Sequence, residues 1–252
     1  MTSSKLPPLS RRQVISTSAA ALAVANLPAA ASAFAPKPQQ RMFMGLVTYL
    51  WGKDMELEEL ITSCEKSGFL GVEVRTQHKH GVEPSLSVKQ RKDVRKRFRD
   101  SKVELVGYGS NCEYHSDDPA KLKANIEQTK EFIQLMHDCG GTGVKVKPNG
   151  FPKGASKEKT IEQIGKALNE VAEYGEGLGQ KIRVEVHGKG TSDLPVVRDI
   201  FAVADHPNVY VCWNCNGQDL EGEGLKVNFD MVKGRFGDTV HIREMNVGNY
   251  PY

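Results

Sequence analysis

The segment 182–188, with the sequence IRVEVHG, alternates apolar and polar side chains with a period of two. This pattern predicts a β-strand with Arg183, Glu185 and His187 on one face and three aliphatic side chains on the other. A strand at the surface of the protein would simply hold its charges in water. A strand inside a closed sheet would bring them together with polar side chains of other strands, so the rest of the chain decides between the two.

Strands and helices alternate along the remainder of the chain. The patterns predict seven strands, at 43–50, 71–76, 103–108, 143–147, 182–188, 209–215 and 240–245. They predict six helices, at 55–67, 87–101, 119–139, 157–175, 195–205 and 226–236. Such strict alternation is typical of a mostly parallel sheet with right-handed crossovers.

The polarity of the strands favours one α/β architecture over another. A doubly wound open sheet buries both faces of its strands, which are then nearly all apolar. Several strands here instead carry charged side chains at alternate positions: Glu73 with Arg75, Lys145 with Lys147, and His241 with Arg243. Buried charges are costly unless they are paired or bind a metal. We therefore predict a (β/α)8 TIM barrel with a polar interior and a site at the carboxyl ends of its strands.

The first 35 residues have the pattern of a targeting segment. Residues 10–15, SRRQVI, form a twin-arginine motif, an alanine-rich run follows, and small residues suited to signal peptidase stand at 31–35. We predict a twin-arginine signal peptide at 1–35, a Pro/Gln-rich linker at 36–41 and one barrel domain at 42–252. The expected location is periplasmic or exported, through the twin-arginine route.

The charge balance bears on the class of partner. The chain has 34 Lys and Arg and 31 Asp and Glu, and residues 1–33 hold three of the basic residues and no acid. Cleavage after Ala33 would leave 31 of each, a net charge of zero. A neutral domain has no electrostatic footprint for nucleic acid, and no run is long and apolar enough for an ordinary membrane span. The charge balance therefore gives no support for a nucleic-acid partner, and the apolar runs give none for a membrane-embedded protein.

Three of the strands together resemble a known family. Residues 182–188 resemble the strand that ends in a metal-binding Glu in the xylose isomerase-like TIM barrels, which include sugar phosphate isomerases and epimerases, ketose 3-epimerases and endonuclease IV. Residues 240–244, VHIRE, resemble the strand that supplies a metal-binding His. Residues 211–216, VCWNCN, resemble the strand that usually supplies an Asp. The resemblance spans about residues 42–252 and is nearest to exported bacterial sugar phosphate isomerases/epimerases.

The resemblance implies a divalent metal, Mn²⁺, Mg²⁺, Co²⁺ or Zn²⁺, held by Glu185, Asn214 and His241. In the resembling enzymes the metal binds a hydroxyl and the adjacent carbonyl of a sugar, and a carboxylate moves a proton through an enediolate. The expected catalytic residues are Glu185 and His187. The residues expected to bind the sugar or its phosphate are Lys145, Lys147, Asn149, His187 and Arg243.

The residues themselves leave simpler alternatives open. Glu185 could form a buried ion pair with Arg183 or Arg243 and need no metal. Lys145 and Lys147 could balance the charges of acidic side chains such as Glu73. Likewise, His241 could be a core histidine, and His187 could be a hydrogen-bonded histidine at the barrel mouth.

Two features depart from the family pattern. Asn214 stands where the family usually has Asp, and an amide oxygen binds a divalent ion less strongly than a carboxylate does. The family's eighth strand, with a second catalytic Glu, has no counterpart in this sequence, so we expect a barrel lacking its last β/α unit. Open sheet edges would favour a homo-oligomer. The leading hypothesis is a metal-dependent sugar or sugar-phosphate isomerase/epimerase. The alternative is a catalytically weak or inactive barrel that binds a sugar or polyol.

Overall fold

The computed structural model of the protein describes residues 42–242. The predicted signal peptide, the linker and Arg243 lie outside the described residues. Seven parallel strands form one sheet in chain order. They are β1 (Gly45–Val47), β2 (Gly71–Arg75), β3 (Glu104–Glu113), β4 (Gly143–Lys147), β5 (Lys181–Glu185), β6 (Val209–Asn214) and β7 (Phe236–His241).

Helices connect the strands. They are α1 (Leu57–Ser67), α2 (Val88–Arg99), α3 (Pro119–Cys139), α4 (Lys157–Glu176), α5 (Leu194–Val203) and α6 (Leu225–Val232). Local chemistry sets their ends: Ser87 and Gln90 form a capping box at the start of α2, and α1 ends at Gly68 with a φ of 76°. Such caps satisfy backbone groups that the helix itself cannot pair. No helix within residues 42–242 is both long and apolar enough to cross a membrane.

The hydrophobic core lies between the sheet and the helices. Alternate side chains of the central strands face outward, among them Val72, Val144 and Ile182, and all three are fully buried. Helix α3 lies against β3 and β4 and buries a stripe that includes Phe132 and Met136. The apolar half of each strand is thereby used for packing, which leaves the polar half facing the interior of the sheet.

The sheet curls so that strands far apart in its order face each other. Glu73 Oε2 on β2 lies 3.5 Å from His241 Nε2 on β7. Nearer the amino ends of the strands, the Arg183 guanidinium of β5 binds Asp238 of β7 at 2.8 and 3.1 Å. Gly107 and Gly143 leave room for it, because a Cβ there would lie 2.6 and 2.8 Å from Arg183 Nη1. This curvature is that of the predicted barrel, and the described residues hold the seven predicted strands.

The predicted seventh strand is misplaced. The sequence pattern puts it at 240–245, whereas β7 begins at Phe236. Gly237 and Asp238 are residue types that favour turns, so the sequence pattern does not predict a strand at these positions. Asp238 instead faces inward to Arg183, and a Cβ on Gly237 would lie 2.8 Å from the Cβ of Tyr210. A tertiary ion pair and a close contact between strands therefore override the local signal.

Three other predicted ends are corrected. β1 is only three residues long. β3 continues to Glu113, beyond the predicted end at 108, and its register with β4 shifts between Gly109 and Glu113. The irregularity lets residues with turn character stay in the sheet. β5 ends at Glu185, so His187 lies in the loop that follows the strand and not within it.

Candidate active site

Five polar side chains from five strands meet inside the curled sheet. They are Glu73 on β2, Lys145 on β4, Glu185 on β5, Asn214 on β6 and His241 on β7. The first four are at most 9% exposed. Gly109 of β3 gives Glu73 its space, since a Cβ there would lie 2.7 Å from Glu73 Oε1. The last three stand at the carboxyl ends of their strands, where enzymes of barrel fold place their chemistry.

The ammonium group of Lys145 lies at the centre of this cluster. Its Nζ atom is 2.8 Å from Glu73 Oε1 and 2.9 Å from Glu185 Oε2. It is also 3.4 Å from His241 Nε2. Lys145 thus pairs with both buried carboxylates, the arrangement that the sequence left open as an alternative to substrate binding.

Asn214 and His241 complete the surroundings of Glu185. Asn214 Nδ2 donates a hydrogen bond to Glu185 Oε1 at 3.0 Å, and His241 Nδ1 lies 3.8 Å from the same oxygen. The side-chain oxygen of Asn214 is buried and has no hydrogen-bond partner among the described residues. Folding therefore brings together the three side chains that the sequence predicts as metal ligands.

The charges of the cluster control its ionisation. Burial alone would raise the pKa of the Glu73 carboxyl, but the charges of Lys145 and His241 outweigh it and lower that pKa to about 2. The pKa of Glu185 is lowered against burial in the same way, by His241 and Lys145. Burial opposes the charge on Lys145, but the two carboxylates raise its pKa. Two carboxylates and one ammonium group are therefore ionised together at neutral pH.

The imidazole of His241 favours its protonated form. Burial opposes a charge on this ring, but Cys212 and Glu73 outweigh it and raise the pKa of His241. The contact of His241 Nε2 with Lys145 would suit a hydrogen bond only if that nitrogen were unprotonated. We give more weight to the carboxylates on either side of the ring, which favour protons on both nitrogens.

A second group of side chains lies at the rim of the site. Asn149 Oδ1 is 2.8 Å from His187 Nδ1, and the amide nitrogen of Asn149 donates to Glu113 Oε1. His115 Nδ1 lies 3.7 Å from the other oxygen of Glu113. Burial lowers the pKa of His187, although Glu185 acts in the opposite direction. His187 is thus a neutral imidazole beside the cluster at neutral pH.

The two loops that carry this rim fit closely together. Asn149 has a φ of 61°, a left-handed conformation that Asn tolerates better than most residues. Gly188 has a φ of 100°, and a Cβ on it would lie 2.5 Å from the Cα of Asn149. The loop after β5 can approach the loop after β4 only because residue 188 is glycine.

Two cations at the rim share one neutral acceptor. Arg75 Nη2 donates to Asn111 Oδ1 at 3.2 Å, and Lys147 Nζ lies 3.5 Å from the same oxygen. Burial lowers the pKa of Lys147. Among residues 42–242 neither cation forms an ion pair with a carboxylate. An amide oxygen cannot neutralise two positive charges, so this part of the rim is suited to an anion.

Seven of the eight predicted site residues are described, and all seven lie in the cluster or at its rim. Sequence reasoning used Glu73 only as a charged strand residue whose charge a lysine could balance, and it assigned no role to Asn111. Glu73 and Arg75 carried a usable signal, because they repeat at alternate positions as Lys145 and Lys147 do. Asn111 carried none, because its sequence context is that of a turn.

The predicted ligands fit a divalent ion poorly as they stand. Glu185 is already paired with Lys145, and Asn214 turns its amino group toward Glu185, so that only its buried side-chain oxygen is left for a ligand. His241 would have to lose a proton before it could coordinate a metal. Within residues 42–242 no group of three or more His, Cys, Asp or Glu side chains is arranged to hold an ion. The metal stays a prediction of the resemblance.

Solved structures with the same fold include several sugar epimerases. The 3-keto-D-glucoside 4-epimerase YcjR from E. coli superposes with a TM-score of 0.68 at 14% identity, covering 82% of this chain and 83% of that one. D-psicose 3-epimerase from Clostridium cellulolyticum H10, solved with D-tagatose, has a TM-score of 0.70 at 17% identity, with coverages of 83% and 78%. The IOLI protein, solved with a bound zinc atom, has a TM-score of 0.69 at 17% identity, with coverages of 84% and 76%. At these identities the likeness shows the fold alone.

A family model agrees with these structures. No curated protein sequence matches the chain. The model of the xylose isomerase-like TIM barrels matches residues 61–247, a range that contains the whole cluster from Glu73 to His241. The chain belongs to the xylose isomerase-like TIM barrel family.

Proposed function

We propose that this protein is an isomerase or epimerase that acts on a sugar or sugar phosphate through an enediolate. The observation that carries the proposal is the buried pair of ionised carboxylates, Glu73 and Glu185, held on either side of the Lys145 ammonium group. Proton transfer next to a carbonyl needs a base and a positively charged donor within one site. The sugar epimerases among the solved structures of this fold support the same class of reaction.

The side chains divide into roles that follow from their positions. Glu185, at the end of β5, takes the proton from the carbon next to the carbonyl, and the electron pair moves to the carbonyl oxygen. Cationic N–H groups stabilise the charge that develops there. His187, neutral and at the rim, exchanges a proton with a substrate hydroxyl. Asn149 positions His187 and does not itself move a proton.

The anion site at the rim favours a phosphorylated substrate. Arg75 and Lys147 lack carboxylate partners in the described part of the chain, and a phosphate would supply the missing charge. Arg75→Gln and Lys147→Met should each raise the KM for a sugar phosphate about 10-fold or more, the scale of one charged hydrogen bond. The KM for the unphosphorylated sugar should not change. A sugar acid is compared in the same assay, because a carboxylate could occupy the same site.

Isotope exchange tests the reaction class without knowledge of the product. The protein is incubated in D₂O with a panel of aldoses, ketoses, sugar acids and sugar phosphates, and NMR follows loss of the proton next to the carbonyl. Parallel samples contain Mn²⁺, Mg²⁺, Co²⁺, Zn²⁺ or a chelator, which tests the predicted metal requirement. Glu185→Gln should slow exchange by about 100-fold or more. Sugar binding without exchange in every sample would favour the alternative, a binding barrel with weak or no activity.

We also propose that the protein is exported through the twin-arginine route. The support is the motif at 10–15 and the alanine-rich run behind it. A reporter fused to residues 1–40 should reach the periplasm, and changing Arg11 and Arg12 to Lys should hold it in the cytoplasm. Unchanged export of the altered fusion would contradict the assignment.

A further inference from the structure

We propose that the Lys145 ammonium group takes the place of a divalent metal ion in this site, so that Glu185, Asn214 and His241 bind no metal. The claim about metal binding stands on the geometry of the cluster. Its catalytic consequence, that an ammonium group stabilises the enediolate, rests on the proposed function.

The surroundings of Lys145 are those of a bound cation. Its Nζ atom forms ion pairs with Glu73 Oε1 at 2.8 Å and Glu185 Oε2 at 2.9 Å, and the ring of His241 closes the third side, with Nε2 3.4 Å away. These groups come from β2, β5 and β7, which surround the nitrogen from three directions. A metal bound to Glu185 and His241 would lie about 2.0–2.2 Å from its ligand atoms, and therefore close to this ammonium group. The two cations would repel each other and compete for the same carboxylate.

Lys145 has little freedom to move away. It is the third of five residues in β4 and is 3% exposed, so its side chain lies below the rim. Lys147, two residues further on the same face, is half-buried and reaches Asn111 at the mouth. Displacing Lys145 would also leave Glu73 without the ammonium group that neutralises it inside the barrel, which is costly. The position of the lysine in the strand thus keeps its charge in the site.

Asn214 points independently to the same conclusion. The resembling family usually has an Asp here, whose negative charge helps to hold a divalent ion. Asn214 brings no charge, and it turns its amino group, not its oxygen, toward Glu185. Loss of a carboxylate on β6 and presence of an ammonium group on β4 both lower the affinity for a divalent ion.

The ammonium group can still do electrostatic work. Lys145 has three N–H donors, and its ion pairs with Glu73 and Glu185 leave at least one of them for a ligand. As a carboxylate removes the proton from carbon, the electron pair moves to the carbonyl oxygen, and the remaining N–H would donate to that oxygen. No bond of the lysine forms or breaks, and the proton that leaves the carbon is carried by the carboxylate.

Metal titration tests the proposal on the full chain without substrate. Three proteins are compared: the wild type, Lys145→Met and Lys147→Met. Each is analysed for its metal content after purification and is then titrated with Mn²⁺ in a calorimeter. The wild type should bind no stoichiometric Mn²⁺ with a Kd below about 1 mM. Lys145→Met should bind one equivalent at least about 100-fold more tightly, because a cation no longer occupies the site. Lys147→Met, the control from the same face of the strand, should behave as the wild type.

Two results would overturn the proposal. One is a wild-type protein that holds one equivalent of metal with micromolar affinity. The other is a folded Lys145→Met protein that gains no affinity. Lys145→Met leaves two carboxylates without their ammonium partner, and it could fail to fold for that reason. The double variant Lys145→Met with Glu73→Gln removes the repulsion between the carboxylates and should still gain affinity for Mn²⁺. If neither variant folds, the titration of the wild type decides. If no sugar is turned over, the proposed function is contradicted, but the expected metal affinities of the wild type and the variants stay the same.

Discussion

The side-chain oxygen of Asn149 lies 2.8 Å from Nδ1 of His187, and this contact determines which nitrogen of the imidazole carries the proton. Asn149 uses its amino group to donate to Glu113, so its oxygen must face His187 and accept. The proton of the neutral ring is then on Nδ1, and Nε2 keeps its lone pair. Glu113 and Asn149 therefore present His187 to the barrel mouth as a base.

We predict that Asn149→Gly lowers kcat by roughly 10- to 100-fold, because His187 then loses the contact that fixes its tautomer. Glycine is the suitable replacement, since it accepts the left-handed backbone of residue 149 without strain. Steady-state kinetics on the substrate found by isotope exchange measures the effect. KM should change less than kcat.

A double variant separates positioning from a general loss of structure. If Asn149 acts through His187, Asn149→Gly combined with His187→Gln should be no slower than His187→Gln alone. Losses that multiply would show that Asn149 acts independently of the imidazole and would contradict the relay.

Gly188→Ala should separate the two loops of the rim. The new Cβ would lie 2.5 Å from the Cα of Asn149 and 2.6 Å from Thr191 Oγ1, at a φ of 100°. We expect the free energy of unfolding to fall by roughly 2–4 kcal/mol and the activity to fall with it. Gly179→Ala is the control, because Gly179 has a φ of 66° and nothing within 4 Å of its Cβ position. Urea titration measures the loss of unfolding free energy in both variants. An equal loss would show that backbone strain alone, and not the contact between the two loops, accounts for it.

The sequence predicts those parts of this fold and site that depend on one strand at a time. The alternation in β5 correctly put Glu185 inside and Val184 outside, and the same pattern in β4 placed Lys145 inside. It could not choose the partner of Lys145, because Glu73 and Glu185 come from strands whose approach depends on the curvature of the whole sheet. Asp238 was missed for a related reason: its only inward signal is an arginine on another strand, 55 residues away.

The Arg183–Asp238 pair should contribute more to stability than a pair with both partners exposed. Arg183 is 1% exposed, and burial, which would raise the pKa of Asp238, is outweighed by Arg183 and Lys181, so that this pKa is lowered. Because Asp238 itself is 38% exposed, solvent screens part of this attraction. Asp238→Asn leaves the buried guanidinium with neutral acceptors and should cost roughly 1–2 kcal/mol. Glu162→Gln breaks the exposed pair with Lys166 and should leave the free energy of unfolding nearly unchanged. Similar costs in urea titrations would show that Arg183 does not depend on Asp238.

The last prediction concerns the buried imidazole of His80. The backbone N–H of Val82 donates to Nδ1 at 3.1 Å, so the proton is on Nε2, which donates to the carbonyl of Arg75 at 2.9 Å. Burial, with no acceptor for a second proton, lowers the pKa of His80 to about 4. The unfolded chain, with a histidine pKa near 6.5, binds the proton first as the pH falls. The stability that neutral His80 confers is therefore lost as the pH falls from about 6.5 to 4.

Urea titrations of the wild type and of His80→Gln at pH 7, 6 and 5 measure this loss. From the two pKa values, the wild type should lose about 2 kcal/mol more than the variant between pH 7 and 5. The Glu73 carboxyl does not interfere, because its pKa of about 2 in the folded protein and about 4.3 in the unfolded chain place its effect at lower pH. His137→Gln, on the exposed face of α3, is the control for the replacement of a histidine as such. A His80→Gln protein with the full wild-type loss would assign the pH dependence to another group.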